Sequence, residues 1–198
     1  LLAALAAAPL AANAGDLSYS YLEAGYVRSD RDSIDSGNGF GVRGSGAITD
    51  NFHVFGGYER SDQDIADLAN WRLGLGYNLA LSDNVDLLAR VSYENADYDF
   101  IGDGNGYGVE VGVRAALSPQ FEATAGVRYA NVDLDRNIGC AAVVPTPPAC
   151  RFLDDEDGGN TAFFVGGQYK FNSRWGVVAE ASLSSNDNRG FIGPPVSF

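Results

Sequence analysis

The chain has 198 residues and a formal net charge of −13, with one histidine, two cysteines and no methionine. The length suits a single domain. So acidic a surface repels phosphate backbones, which argues against nucleic acid as a partner.

Residues 1–14, LLAALAAAPLAANA, are apolar and uncharged. They have the make-up of a secretory signal core that ends at the small-residue site Ala12-Asn13-Ala14. The basic region expected ahead of it is missing, and so is an initiator methionine. The expectation is a signal peptide truncated at its start, then one exported domain over 15–198. A short buried helix is the alternative for this run. It is too short to cross a membrane as a helix, and no other segment is a candidate.

From Leu17 onward the pattern is strict alternation of apolar and polar residues, the period of a strand with two unlike faces. The first strand is predicted at 17–28. Leu17 and Tyr19 there are out of phase with Leu22, Ala24 and Tyr26, so a bulge near Ser20–Tyr21 is expected. The second strand, 39–48, sets Phe40, Val42 and Ile48 against Arg43. The third, 52–60, sets Phe52, Val54 and Tyr58 against His53 and Glu59. The fourth, 70–81, carries Trp71, Leu73, Leu75, Tyr77, Leu79 and Leu81 on one face. The fifth starts at Val85 and opposes Leu87, Ala89, Val91 and Tyr93 to Asp86, Arg90, Ser92 and Glu94. The next two have the clearest pattern: Tyr107, Val109, Val111 and Val113, the turn Ser118-Pro119-Gln120, then Phe121, Ala123, Ala125, Val127 and Tyr129. The eighth strand holds Phe163, Val165, Tyr169 and Phe171, and the ninth Trp175, Val177, Ala179, Ala181 and Leu183. A short tenth, GFIGPPVSF, puts Ile192, Val196 and Phe198 on one face.

Short turns (TDN, SDN, SPQ, NSR) alternate with longer acidic loops at 29–38, 61–69, 95–104, about 133–159 and 184–189. Strands of about ten residues in such a meander match a transmembrane antiparallel up-and-down β-barrel. The strings beginning at Tyr58, Tyr93 and Tyr129 mark a hairpin repeat of roughly 35 residues.

Alternation leaves open which face turns inward, because a soluble barrel would bury its apolar side. Three features favour lipid outside. The strand charges Arg43, Glu59, Arg72, Arg90, Glu94, Glu110, Arg114, Glu122, Arg128, Lys170 and Glu180 share one parity within each strand. They are six cations and five anions, and Glu23 makes the count even. A basic residue facing lipid at mid-membrane costs about 2–4 kcal/mol, whereas a desolvated interior needs this near balance. Aromatics also gather at strand ends, as in interfacial belts. Tyr26, Phe40, Tyr58, Trp71, Tyr93, Tyr107 and Tyr129 form one group, and Phe52, Phe121, Phe171, Trp175 and Phe198 the other. Third, the chain closes an alternating strand on Phe198.

The Ala12-Asn13-Ala14 site, ten alternating strands and terminal Val196-Ser197-Phe198 resemble small Gram-negative outer-membrane β-barrels of the OmpA/OmpX-like class. The strings GFGVRGSGAITDNFHVFGGYE and WRLGLGYNLALSDNVDLLARVSYE are most similar to xanthomonad-type small outer-membrane barrels. The resemblance implies a monomer in the cell outer membrane, surrounded by lipid and lipopolysaccharide. It also implies that Phe198 is the signal read by the barrel-assembly machinery. Pro194-Pro195 departs from an ideal closing strand, since proline cannot donate to a ladder. Ten strands are expected, with eight as the alternative.

Cys140 and Cys150 flank AAVVPTPPA, and export makes a disulfide the default. Closing so small a loop would stabilise by roughly 3 kcal/mol in the chain-entropy model. Two free thiols would need a reducing compartment. His53 has no catalytic partner in the pattern and reads as a polar interior or interface residue. Asp97, Asp99 and Asp103, and the run 154–157, miss the spacing of a calcium loop. They read as solvated loop surface, with contact to divalent cations that bridge lipopolysaccharide phosphates as a milder alternative. No metal site or cofactor is expected. Three functions follow: a structural or surface-interaction barrel with an Arg/Glu-filled interior, a narrow ion or small-solute channel, and, least favoured, an enzyme.

Overall fold

Period-two alternation becomes continuous ladder. The computed structural model describes residues 17–31, 34–62, 68–98, 102–136, 158–185 and 187–198. The strands are β1 (Tyr21–Arg31), β2 (Ile34–Ala47), β3 (Phe52–Asp62), β4 (Leu68–Ser82), β5 (Val85–Tyr98) and β6 (Gly102–Ala116). They continue with β7 (Phe121–Arg136), β8 (Gly158–Lys170), β9 (Gly176–Ser184), β10 (Asp187–Gly193) and β11 (Pro195–Ser197). Each pairs antiparallel with its sequence neighbour up to β10, and β1 closes the cylinder against both β10 and β11. The last two are halves of one strand broken at Pro194. The chain is thus a closed, ten-stranded, up-and-down antiparallel barrel, and the eight-stranded alternative is excluded.

The seam shows how the proline pair is absorbed. Ladder pairing stops between Tyr26↔Ile192 and Glu23↔Pro195. Here Gly25 and Gly193 let the two backbones close in. A Cβ on Gly193 would lie 2.1 Å from the Ala24 carbonyl oxygen, and one on Gly25 2.3 Å from that of Ile192. Only glycine permits that approach.

The short turns are closed by their own side chains. Thr49 Oγ1 accepts from the N–H of Asn51 and Phe52 at 3.3 and 3.0 Å. Ser118 Oγ does the same for Gln120 and Phe121, and Asn172 Oδ1 for Arg174 and Trp175. A short polar side chain offers its backbone this local partner, which is why such residues mark turns.

Two expectations need correction. The ladder runs into each of the long acidic loops. β1 reaches Arg31 and β2 starts at Ile34, β3 reaches Asp62, β5 Tyr98 and β7 Arg136, and β8 starts at Gly158. The stretch between β7 and β8 is therefore shorter than 133–159. Backbone pairing does not require apolar side chains, so a strand continues past the point where alternation fades. The first strand does not start at Leu17, nor does it bulge at Ser20–Tyr21. Residues 17–20 precede β1 and turn into the lumen, where Tyr19 is 5% exposed. The phase break is the point where the chain leaves the wall.

The outer surface is apolar. Leu73, Leu75, Val91, Val111, Val165 and Ile192 are each more than half exposed. An apolar surface this continuous marks an interaction with membrane or partner. Rings border it. Phe40–Tyr58, Trp71–Tyr93 and Tyr107–Tyr129 stand 6.1, 5.5 and 6.2 Å apart on the upper side, away from the short turns. Phe52–Tyr77 and Tyr169–Phe171 lie near the short turns, at 5.0 and 5.7 Å.

Inward glycines make room for large lumen side chains. A Cβ on Gly76 would sit 2.1 Å from His53 Nε2 on the neighbouring strand. We expect Gly76→Ala to destabilise the barrel by about 1–3 kcal/mol through overpacking, read as a lower urea midpoint.

Candidate functional site

Among the described residues the fold gathers its chemistry in the lumen. Because successive Cβ atoms alternate, each strand sends its charged parity inward. All twelve charges singled out in the sequence line the interior: Glu23, Arg43, Glu59, Arg72, Arg90, Glu94, Glu110, Arg114, Glu122, Arg128, Lys170 and Glu180 are buried or half-buried.

The lowest layer, beside the short turns, is a plug. Tyr19 stacks on His53 with centroids 4.7 Å apart and 19° between planes. Its hydroxyl donates to Asp86 Oδ2 at 2.9 Å. Burial pushes that hydroxyl above its ordinary pKa, against the pull of nearby Arg114. The Arg114 guanidinium lies 5.1 Å from the Tyr19 ring centroid and donates from Nη1 to the Ser18 carbonyl at 2.7 Å. Its other nitrogens hold Glu122 Oε2 at 2.6 and 3.1 Å, while Lys170 contacts Glu122 Oε1. His53 is fully buried, and its Nε2 accepts from Arg90 Nε at 3.1 Å. That places the ring proton on Nδ1.

The middle layer spans the lumen. Arg90 reaches Glu110 at 3.3 Å and the Tyr21 hydroxyl at 3.5 Å, 4.9 Å above the Phe55 ring. Arg43 on β2 reaches Glu180 on β9 at 2.8 Å and Glu59 on β3 at 3.3 Å. The same guanidinium stacks 3.8 Å from the Phe191 ring centroid. Glu23 stands opposite Arg43 in the β1–β2 register.

In the upper layer Arg128 holds Glu94 at 2.5 Å, and Arg189 reaches Asp187 at 2.6 Å and Glu59 at 3.7 Å. A cavity of about 130 Å³ runs beside these groups. Arg72 lines it without an ion pair or hydrogen bond to any described residue.

Tyr19, Tyr21, Asp86 and Arg189 complete this network and were not singled out in the sequence. Asp86 shares the parity of Arg90 and Glu94, so its signal was present. Arg189 was hidden because 184–189 reads as loop, whereas β10 begins at Asp187. Nothing local marks Tyr19, which enters the lumen only because the chain ahead of β1 turns inward.

Cys140, Cys150, Asp99 and the acidic run 154–157 lie outside the described residues. Asp97 and Asp103 face each other across β5 and β6. Among the described residues no group of three or more His, Cys, Asp or Glu is placed to hold a metal ion. Phe198 is 45% exposed and donates its N–H to the Ser20 carbonyl at 3.1 Å.

A family model described as "Outer membrane protein beta-barrel domain" matches residues 1–143. No curated protein matches the chain. Among solved structures the chain is similar to the KdgM porin in complex with disordered oligogalacturonate, at 13% identity and TM-score 0.47, over 90% of this chain and 99% of that one. Neisserial surface protein A (NspA) matches at 19% identity and TM-score 0.42, over 91% and 98%. Ail, the attachment invasion locus protein of Yersinia pestis, in complex with the heparin analogue sucrose octasulfate, matches at 13% identity and TM-score 0.39, over 90% and 97%.

Proposed function

The chain belongs to the outer membrane protein β-barrel domain family, and from that premise we propose a closed barrel with a structural or surface-interaction role, its lumen plugged at the end nearest the short turns so that solutes do not pass through. The observation that supports this reading is the interior itself. Ion pairs tie strands together across it, as Arg43 ties β2 to β9. Ten strands enclose a lumen that long side chains can largely fill, whereas open porins have more strands. The stacked Tyr19–His53 pair fills the end nearest the short turns.

With the lumen shut, contact with the exterior falls to the upper hairpins, which continue as ladder beyond the aromatic belt. A paired strand presents side chains at fixed spacing, so this rim suits recognition by shape and charge. His53 serves the plug in this reading and has no catalytic role.

The remaining assignments are part of the same proposal. Residues 1–14 direct export, Cys140 and Cys150 form a disulfide in the outward connection between β7 and β8, and Phe198 is read by the barrel-assembly machinery. The barrel is a monomer in lipid and lipopolysaccharide. In the same proposal the barrel is one of the xanthomonad-type small barrels, which the strings 39–59 and 71–94 resemble.

Planar-bilayer recording tests the closed lumen. We expect no conductance steps above leak from the folded wild-type protein. A narrow ion path is the second reading, favoured by the charged cavity, and reproducible steps would establish it instead.

A further inference from the structure

Six arginines line the lumen cavity, and five of them reach a carboxylate. The sixth, Arg72, reaches none among the described residues. Its cross-strand neighbours explain why. Gly57 on β3 has no side chain to offer. Glu94 on β5 stands opposite, but both its oxygens are engaged. Oε2 accepts from Arg128 Nη2 at 2.5 Å, and Oε1 accepts from Ser92 Oγ at 2.5 Å. Two further arginines, Arg43 and Arg128, line the same cavity as Arg72, as does Glu110.

The cavity wall carries six arginines and five glutamates, and Glu94, which pairs with Arg128, makes the charges even; what sets Arg72 apart is the lack of a contacting carboxylate among the described residues, not a net surplus. Glu23 also lacks an ion pair among the described residues, and in the β1–β2 register it stands opposite Arg43, not Arg72.

A guanidinium taken out of bulk water without a counter-ion is costly. Its planar fork of N–H donors matches two oxygens of one oxyanion. We propose that the lumen binds one small oxyanion, a phosphate or the carboxylate of a small acid, against Arg72 with Arg43 and Arg128 beside it. Paired arginines around the site keep their glutamates, so the bound anion meets the one cavity arginine that contacts no carboxylate among the described residues. The site rests on the geometry of the wall and stands whether or not the lumen conducts, so a pore would not remove it.

The test uses the full-length wild-type protein and Arg72→Gln, both folded in a phosphate-free non-ionic detergent. Retained heat-modifiable gel migration shows that each is folded. Phosphate, acetate and chloride are titrated separately by calorimetry at one ionic strength. We expect saturable binding of one phosphate or acetate per wild-type barrel. Arg72→Gln should weaken it by roughly ten-fold or more. Arg72→Lys should recover part of the loss, because it restores charge without the fork. Stronger binding of phosphate identifies a phosphate-bearing ligand, and stronger binding of acetate a carboxylate. The proposal is overturned if folded wild type binds neither oxyanion, if Arg72→Gln binds as wild type does, or if chloride binds as tightly as both.

Discussion

Replacing Arg114 with leucine should cost the folded barrel about 3–5 kcal/mol, the penalty for leaving a buried charge without its partner. Glu122 would be that charge. It is 3% exposed, and two Arg114 nitrogens hold its Oε2. Lys170 would remain as its single cation. The loss would spread further, because Arg114 also donates to the Ser18 carbonyl and lies over the Tyr19 ring. The arm at 17–20 would lose one of its anchors. A charge-swap pair, Arg114→Glu with Glu122→Arg, should recover only part of the stability, since it returns the ion pair but places like charge beside Lys170. Urea unfolding followed by heat-modifiable migration measures both. A change under about 0.5 kcal/mol for Arg114→Leu is the behaviour of a solvated surface residue and would show that this layer is wet.

The second large effect lies on the opposite side of the wall. Val111→Arg should destabilise the barrel in a bilayer by about 2–4 kcal/mol, the cost of a basic residue at the midplane. Val111 is 52% exposed and lies in the middle of β6, flanked by Ala89 and Val127 on the adjacent strands. Leu81→Arg should cost only about 0–1 kcal/mol, because near the interface the head group reaches water. Leu81 is 59% exposed and lies next to the turn at 83–84. The contrast separates lipid from water: on a water-facing surface both changes stay within about 0.5 kcal/mol. Equal, small costs at both positions in lipid vesicles would remove the membrane reading.

Together the two variants describe an inside-out arrangement. Solvent exclusion acts on the interior charges, so they must neutralise one another. Lipid covers the apolar face, which in water would be an aggregation surface. Glycine serves both sides, since at Gly76 it leaves space for His53 and at Gly25 and Gly193 it lets the seam close over a proline.

Local pattern carried most of the wall. Val109, Val111 and Val113 against Glu110, Gly112 and Arg114 state the two faces of β6 without reference to any other strand. The turns at Thr49, Ser118 and Asn172 were equally legible, because each is closed by its own first side chain. Strand ends were not. Alternation fades from Asp97 to Asp103, yet the ladder continues to Tyr98↔Gly102, because cross-strand partners supply backbone hydrogen bonds whatever the side chains are. Tyr19 was misread for a related reason. An aromatic two residues ahead of a strand looks like part of it, and only the neighbouring wall, with His53 and Asp86, provides the pocket that draws it inward.

The sequence by itself determined the two faces of most strands and most of the ions that share the interior, because the direction of each side chain follows from its own place in the pleat. Tertiary structure alone decided who meets whom. Arg43 finds Glu180 across 137 positions of chain, and Arg114 finds the Ser18 carbonyl across 96. Arg72 faces Glu94 in the ladder yet loses it to Arg128. Those matches depend on closure and stagger, which set the height at which each strand delivers its charges into a common lumen.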